Sequence, residues 1–400
     1  MSRLWDRLMR LAEIGARGDG GVNRQALTPG EVEAWRLMLE WAAGAGLEAA
    51  TDDAGNLFLT RAGRDRTLPP AVIGSHLDTQ PNGGKFDGAW GVLAALEAVA
   101  DTGFIPARDI SVVAWSNEEG SRFAPGMTGS EAFAGVRPLT AIRALRDAEG
   151  TTLGDALDTL HAAFPALPRL PLKREFAFCI EPHIEQATLL EEAGIPIGIV
   201  TGIQGKITFE VVLEGEEGHA GTRDMALRRD AVMAFARIAE RMQREVGEAD
   251  PIVKFTIGRV QVVPNAPSVI AGRVVFRIDL RHPDNAALER AGARLEVIAS
   301  EEAAPCGVTI TRLVHAPSNS FDEGLRARLA ATATRLGLPH MALLSAAGHD
   351  ARHMAPRCPT AMIFIPCRGG VSHSPREWAE PAHVEAGAAV LAETVKELCA

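Results

Sequence analysis

The chain has no tyrosine, which removes one common catalytic acid. It has five cysteines, Cys179, Cys306, Cys358, Cys367 and Cys399, and none forms a Cys-x-x-Cys pair. Reduced thiols in a cytoplasm are therefore expected. No stretch stays apolar for about 18 residues, so no membrane span is expected. The N-terminus, Met-Ser-Arg-Leu-Trp-Asp-Arg, has no apolar signal core. Positive charge is also short. Lys and Arg number 41 against 51 Asp and Glu, a net charge of −10. That balance argues against nucleic acid or an anionic membrane as the main partner.

What remains is the composition of a soluble globular protein, 46% hydrophobic and 23% charged. Four hundred residues are too many for one ordinary core, so two domains are expected. The pattern begins with an amphipathic helix over 3–16 and a glycine-rich loop. Thr28-Pro-Gly-Glu then opens a helix to about Ala43, with Thr28 as N-cap and Pro29 at the first helical position. Short apolar runs at 57–60, 71–75 and 109–116 read as strands, with a helix between the last two. Strand, helix, strand in this order predicts a parallel or mixed α/β sheet. A further helix is predicted near 153–163 and a strand over Phe176 to Ile180.

From about Gly205 the rhythm changes. Strands are predicted at 207–213, 252–263, 274–280 and 308–314, with helices at 224–246 and 285–303. That is β-α-β-β-α-β, the ferredoxin-like arrangement. It reads as a domain of residues 206–316 inserted into a larger one of residues 1–205 and 317–400. The larger domain then resumes with a helix at 322–336, a strand at 360–365 and a last helix to Leu398.

The chemistry gathers in Val72 to Gly91. A buried strand leads into His76-Leu-Asp78, and alternate residues of extended chain share a face. A carboxylate two residues away can fix an imidazole ring and raise its basicity as a metal ligand. Gly83-Gly84 lets the backbone turn, and Asp87 precedes an apolar helix whose positive end favours a carboxylate. Further donors recur just past strand ends: the pair Glu118-Glu119, then His183, then His373. Ligands of such sheets collect at the carboxyl ends of strands. A lone histidine is more often structural, but the recurrence points to metal. His76, Asp87, Glu119, His183 and His373 are five N/O donors without cysteine, which suits zinc, manganese or cobalt in a hydrolytic site. Five exceed one tetrahedral ion; two ions sharing Asp87 would use them all. Neighbouring residues diverge in direction, so Glu119 is assigned to metal and Glu118 to a proton shuttle.

Gly74-Ser-His-Leu-Asp-Thr, Gly-Gly-Lys-Phe-Asp87-Gly, Asn117-Glu-Glu-Gly-Ser-Arg-Phe, His183-Ile-Glu-Gln, Gly218-His-Ala-Gly-Thr, Gly348-His-Asp-Ala and Ser372-His-Ser-Pro occur in this order. Together they resemble the amidase/hydantoinase/carbamoylase branch of the M20 di-zinc hydrolases. That branch holds N-carbamoyl-L-amino acid hydrolases, β-ureidopropionases and allantoate amidohydrolases. The resemblance covers nearly the whole chain. His183, where M20 peptidases usually carry an acidic ligand, separates the branch from them.

The resemblance implies one metal on His76, Asp87 and His183 and another on Asp87, Glu119 and His373. Zinc or manganese is expected, with cobalt or nickel able to serve in vitro. It implies that His219 stabilises the oxyanion, that Arg281 binds the substrate carboxylate, and that Gln186 and Gly348 contribute to substrate binding. It further implies a homodimer formed through the smaller, lid domain. There are three departures: Ser268 stands where asparagine is usual, the lid motif reads Gly221-Thr-Arg223-Asp224-Met, and Ala187 replaces a glycine; the first two sit near the substrate-binding motifs and bear on the substrate. The expected reaction is hydrolysis of an N-carbamoyl amino acid, of α-L or β-alanine type, to the amino acid, CO2 and ammonia. Allantoate hydrolysis and an aminoacylase or dipeptidase activity are the alternatives. A non-catalytic binding protein on this scaffold would be expected to lack a ligand or base, and none is missing.

Overall fold

A computed structural model describes residues 2–100 and 103–400. The chain divides into two compact units, Met1–Gly202 with Ser320–Ala400, and Ile203–Asn319.

The first unit is a mixed α/β structure around a ten-stranded sheet. Its centre is four parallel strands in the spatial order Thr360–Ile365, Phe178–Ile184, Ala71–His76, Ile110–Trp115. All four are buried at every position. Strands covered on both faces read as continuous apolar runs, which is why they show no alternation in sequence. Antiparallel strands flank them, Leu57–Arg61 on one side and Ile197–Ile203 on the other. The helix Ala89–Ala100 returns the chain from the His76 strand to the strand at Ile110 and is buried except at Glu97. The chain builds first to one side of the His76 strand and then to the other. The sheet's switch point therefore falls between the His76 and His183 strands, where open α/β sheets bind ligands.

The second unit has four antiparallel strands in the order Lys254–Val263, Arg273–His282, Gly205–Glu214, Gly307–Ala316. Alternate residues of the central strands, among them Ile207, Phe209, Val274 and Phe276, form a core with Ile238 and Leu295 of the helices Ala231–Met242 and Asn285–Glu302.

Several elements differ from expectation. The first helix ends at Ala12, short of 16. The strand read as Phe176 to Ile180 runs Phe178–Ile184 and carries His183 within it. The helix read over 224–246 starts only at Ala231, runs as α-helix to Met242 and ends in a π turn, Gln243–Gly247. Asp230 caps it by accepting the Val232 and Met233 N–H groups, and Asp224 caps a separate short turn before it. Two capping residues six apart each start their own helix. Thr28 occupies the N-cap position but donates its hydroxyl to the Gln25 carbonyl. The Glu31 carboxylate reaches back to accept the Leu27 N–H.

Candidate metal centre

The parallel strands deliver the donors from one end of the sheet. His76 closes its strand, Glu118 and Glu119 lie just past Trp115, and His183 is the penultimate residue of its strand. Asp87 comes from the turn before Ala89–Ala100 and His373 from the loop after Ile365. Two triangles result. His76 Nε2, His183 Nε2 and Asp87 Oδ1 are mutually 3.1–3.5 Å apart. On the other side, His373 Nε2 lies 3.4 Å from Asp87 Oδ2 and 3.2 Å from Glu119 Oε2. The structure thus brings all five predicted donors together, with one oxygen of Asp87 in each triangle.

The surroundings aim these groups. Nδ1 of His76 is 2.9 Å from the Asp78 carbonyl, and Nδ1 of His183 is 2.9 Å from the Ile184 carbonyl. A carbonyl can only accept, so Nδ1 carries a proton and Nε2 is the ring atom turned toward the triangle, the one that would ligate a metal in the neutral ring. The Asp78 carboxylate, expected to steady His76, has another main task. It accepts the Glu118 and Glu119 backbone N–H groups at 3.2 and 3.1 Å. Gln80 donates its side-chain amide to Glu119 Oε2 at 2.8 Å. Asp87 Oδ2 accepts from Ser372 at 2.5 Å and from the Gln186 amide at 2.8 Å.

Glu377, which no sequence signal marks, is 3% exposed and accepts the N–H groups of both Phe86 and Asp87. It fixes the Asp87 turn from a distant part of the chain. A Cβ on Gly84 would meet the Glu377 carboxyl at 2.1 Å, so the turn demands glycine there. Asn117, Gln186 and His373 hold positive φ values of 52, 60 and 52°. Non-glycine residues bear strain there, and it gathers at functional sites.

Charge in the site is lopsided. Asp78, Asp87, Glu118 and Glu119 converge on buried His76 and His183 and on exposed His373. Burial, with Asp350 and Glu119 adding to it against the pull of His76, holds the Glu118 carboxyl well above its usual range. Burial and then the Asp87 charge push Glu119 up to about 7. For Asp87 burial works upward, but His183 and the other histidines outweigh it and hold the group well below its usual range. Buried carboxylates in such excess are costly without cations. The donor types, the outward Nε2 atoms and the shared Asp87 fit divalent metal. Glu118 Oε2 lies 3.6 Å from His76 Nε2, beside the first triangle and outside both donor sets.

The remaining predicted residues stand outside the donor triangles. Gln186 contacts Asp87, and Gly348 precedes the helix Ala351–Met354, with its Cα side facing Met127. His349, its neighbour in the Gly-His-Asp-Ala motif, carries no role in the sequence reading. Its ring lies 4.4 Å from that of His183, and burial together with His183 holds it well below its ordinary pKa. His219, Ser268 and Arg281 belong to the second unit. His219 is exposed, and its Nδ1 accepts the Gly221 N–H, which leaves Nε2–H as a donor. The Ser268 carbonyl accepts the Ala220 N–H. Arg281 pairs with Asp279 at 2.7 Å.

A mixed α/β sheet with a shared-carboxylate donor cluster at its switch point defines a metal-dependent class of hydrolase, and sequence comparison agrees. Residues 72–397 match Peptidase family M20/M25/M40, and the chain belongs to that family. Over 405 residues it is 42% identical to an N-carbamoyl-L-amino-acid amidohydrolase of Rhizobium meliloti, covering 99% of this chain and 95% of that one. It is 37% identical to the allantoate amidohydrolase of Escherichia coli (strain K12), covering 92% and 90%. Among solved structures it is similar to a hydantoinase/carbamoylase family amidase from Burkholderia vietnamiensis. The TM-score is 0.89 at 40% identity, with 99% and 97% covered.

Proposed function

We propose that this chain hydrolyses the ureido C–N bond of an N-carbamoyl amino acid, of α-L or β-alanine type, giving the amino acid, CO2 and ammonia. The observation that carries this reading is the pair of donor triangles sharing Asp87, with Glu118 beside them. Two divalent ions, zinc or manganese, held by His76, Asp87 and His183 and by Asp87, Glu119 and His373, would polarise the carbonyl and acidify water. Glu118 is the proton shuttle. Burial raises the affinity of its carboxylate for a proton, so in the ionised form it would take one from the attacking water and hand it to the leaving nitrogen. His219 offers Nε2–H to the developing oxyanion. Arg281 takes the substrate carboxylate through its guanidinium fork. Gln186, through its contact with Asp87, and Gly348 and Ser268 border the substrate.

In this reading residues 1–205 and 317–400 are the catalytic domain. Residues 206–316 are a ferredoxin-like lid through which a cytoplasmic homodimer forms. The strand order of the Ile203–Asn319 unit supports the ferredoxin-like arrangement.

The test is ammonia release by zinc- or manganese-loaded protein from N-carbamoyl-β-alanine, several N-carbamoyl-L-amino acids and allantoate, each with and without chelator. Chelator-sensitive turnover of the N-carbamoyl substrates is expected. Turnover of allantoate alone would favour the second reading, which the name of the Escherichia coli relative supports. No ammonia from any of them, with N-acyl or dipeptide substrates cleaved, would overturn the carbamoyl assignment.

A further inference from the structure

The sheet of the second unit has one face packed on helices. Its other face carries a regular charge pattern. Arg273, Arg277 and Arg281 are spaced four apart on one strand and therefore share that face. Directly across on the neighbouring strand stand Glu214, Glu210 and Lys206. The first two rungs are ion pairs, Arg273 to Glu214 at 2.9 Å and Arg277 to Glu210 at 3.1 Å. The third breaks the pattern and sets a lysine against an arginine. On the far side of Arg281, the register places Lys254. One rung therefore holds three cations in a row, Lys254, Arg281 and Lys206. Like charges directly opposite in a sheet destabilise it, and a neighbouring rung shows how little change would have relieved it.

One carboxylate, Asp279, partly compensates. It is 2.9 Å from Lys206 Nζ and 2.7 Å from Arg281 Nε. Burial pulls its pKa upward, but Arg281 and then Lys206 prevail and keep it ionised. Asp279 thereby holds both cationic heads within reach of one point. Three cations and one carboxylate leave a net charge of two at this end of the face. Opposite Lys206 on the outer strand stands Ala316, which adds no acid and little bulk. Two half-exposed cations held together by a shared carboxylate, with a third beside them, form a receptor for two carboxylates rather than one.

We propose that Lys206 and Lys254 flank Arg281 to bind a second carboxylate, so that this chain prefers N-carbamoyl amino acids with acidic side chains, N-carbamoyl-aspartate or N-carbamoyl-glutamate, over neutral ones. The proposal rests on the hydrolytic reading above and on Arg281 holding the first carboxylate. Lys206 and Lys254 are specificity residues; Asp279 is a positioning residue.

The experiment compares kcat/KM for N-carbamoyl-L-glutamate and N-carbamoyl-L-leucine in the metal-loaded protein and in Lys206→Met, Lys206→Arg, Lys206→Glu and Lys254→Met. The readout is the ratio between the two substrates, which a general loss of fold or activity leaves unmoved. Wild type should favour the acidic substrate. Lys206→Met and Lys254→Met should each lower the ratio roughly three- to tenfold, mainly through KM. Lys206→Glu should lower it further, and Lys206→Arg should restore it. An equal ratio in wild type, Lys206→Met and Lys254→Met overturns the proposal and leaves the hydrolytic reading intact. If no N-carbamoyl substrate turns over, the hydrolytic reading fails first. Calorimetric binding of glutarate against butyrate then decides the receptor. Tighter glutarate binding that is lost in Lys206→Glu sustains it, and equal binding overturns it.

Discussion

At the residue scale the site divides its carboxylates by what surrounds them. Glu118 and Glu119 are chain neighbours, yet only Glu119 joins a donor triangle. Glu118 remains beside His76, where burial raises its affinity for a proton. Glu118→Gln should therefore lower kcat by about 100-fold or more while the protein still binds its metal. Metal content per subunit, measured beside the rate, checks this; full activity would remove the shuttle role. A second buried carboxyl, Glu31, stands well away from the donor set in sequence. Burial, then the Asp78 charge, pushes it up to about 8. Its folded pKa lies above the unfolded value of 4.5, so the folded state holds the proton while the unfolded state releases it. Stability from this group is full below pH 4.5 and is lost as pH rises toward 8. Glu31→Gln should flatten this part of the profile. The difference between variant and wild-type unfolding free energies should grow in the variant's favour from about pH 5 to about pH 8. A constant difference would show that Glu31 is ionised in the fold.

At the element scale the site depends on how closely the backbone of one element approaches the side chains of another. Gly88 opens the way into the helix Ala89–Ala100 at φ +63°, and a Cβ there would lie 2.4 Å from the His76 ring. Gly88→Ala should displace His76, cost about 1–2 kcal/mol in backbone strain alone, and weaken metal retention. Gly44, at the end of the helix Pro29–Gly44, has nothing within 4 Å of its Cβ position. Gly44→Ala should be neutral or gain up to about 1 kcal/mol. Equilibrium dialysis of both variants separates the effects; equal metal binding would show that the His76 ring can yield. The four central strands were legible because buried parallel strands are continuous apolar runs. The helix at 224–246 was not, because the apolar period runs on past Asp224 and Asp230, and only the caps reveal the break.

At the scale of the whole molecule, all five donors belong to one unit. Metal binding should stabilise that unit by mass action, about 2.7 kcal/mol at a free concentration roughly 100 times Kd. The unit Ile203–Asn319 has its own core and holds none of these ligands. Chelation should thus lower amide-exchange protection in the His76 and His183 strands and leave that of Ile207 to Leu213 unchanged. Equal loss in both units would mean that they unfold as one. Among the described residues, no helix is long and apolar enough to cross a membrane.

The sequence by itself determined the donor set. Motifs at strand ends carry their residues with them, and a strand-ending histidine can be read from an apolar run and the polar residues after it. It also determined the β-α-β-β-α-β order of the second unit, since each element is periodic. What only the tertiary structure decided are the contacts between distant segments. Glu377 holds a turn some 290 residues earlier in the chain, Asp78 serves the Glu118 backbone more closely than its own neighbour His76, and Asp87 gives one oxygen to each triangle. The lysine opposite Arg281 is likewise invisible in sequence, because cross-strand register joins residues 206, 254 and 281 only once the sheet has formed. Local pattern fixes which groups a segment offers; long-range packing fixes which of them meet.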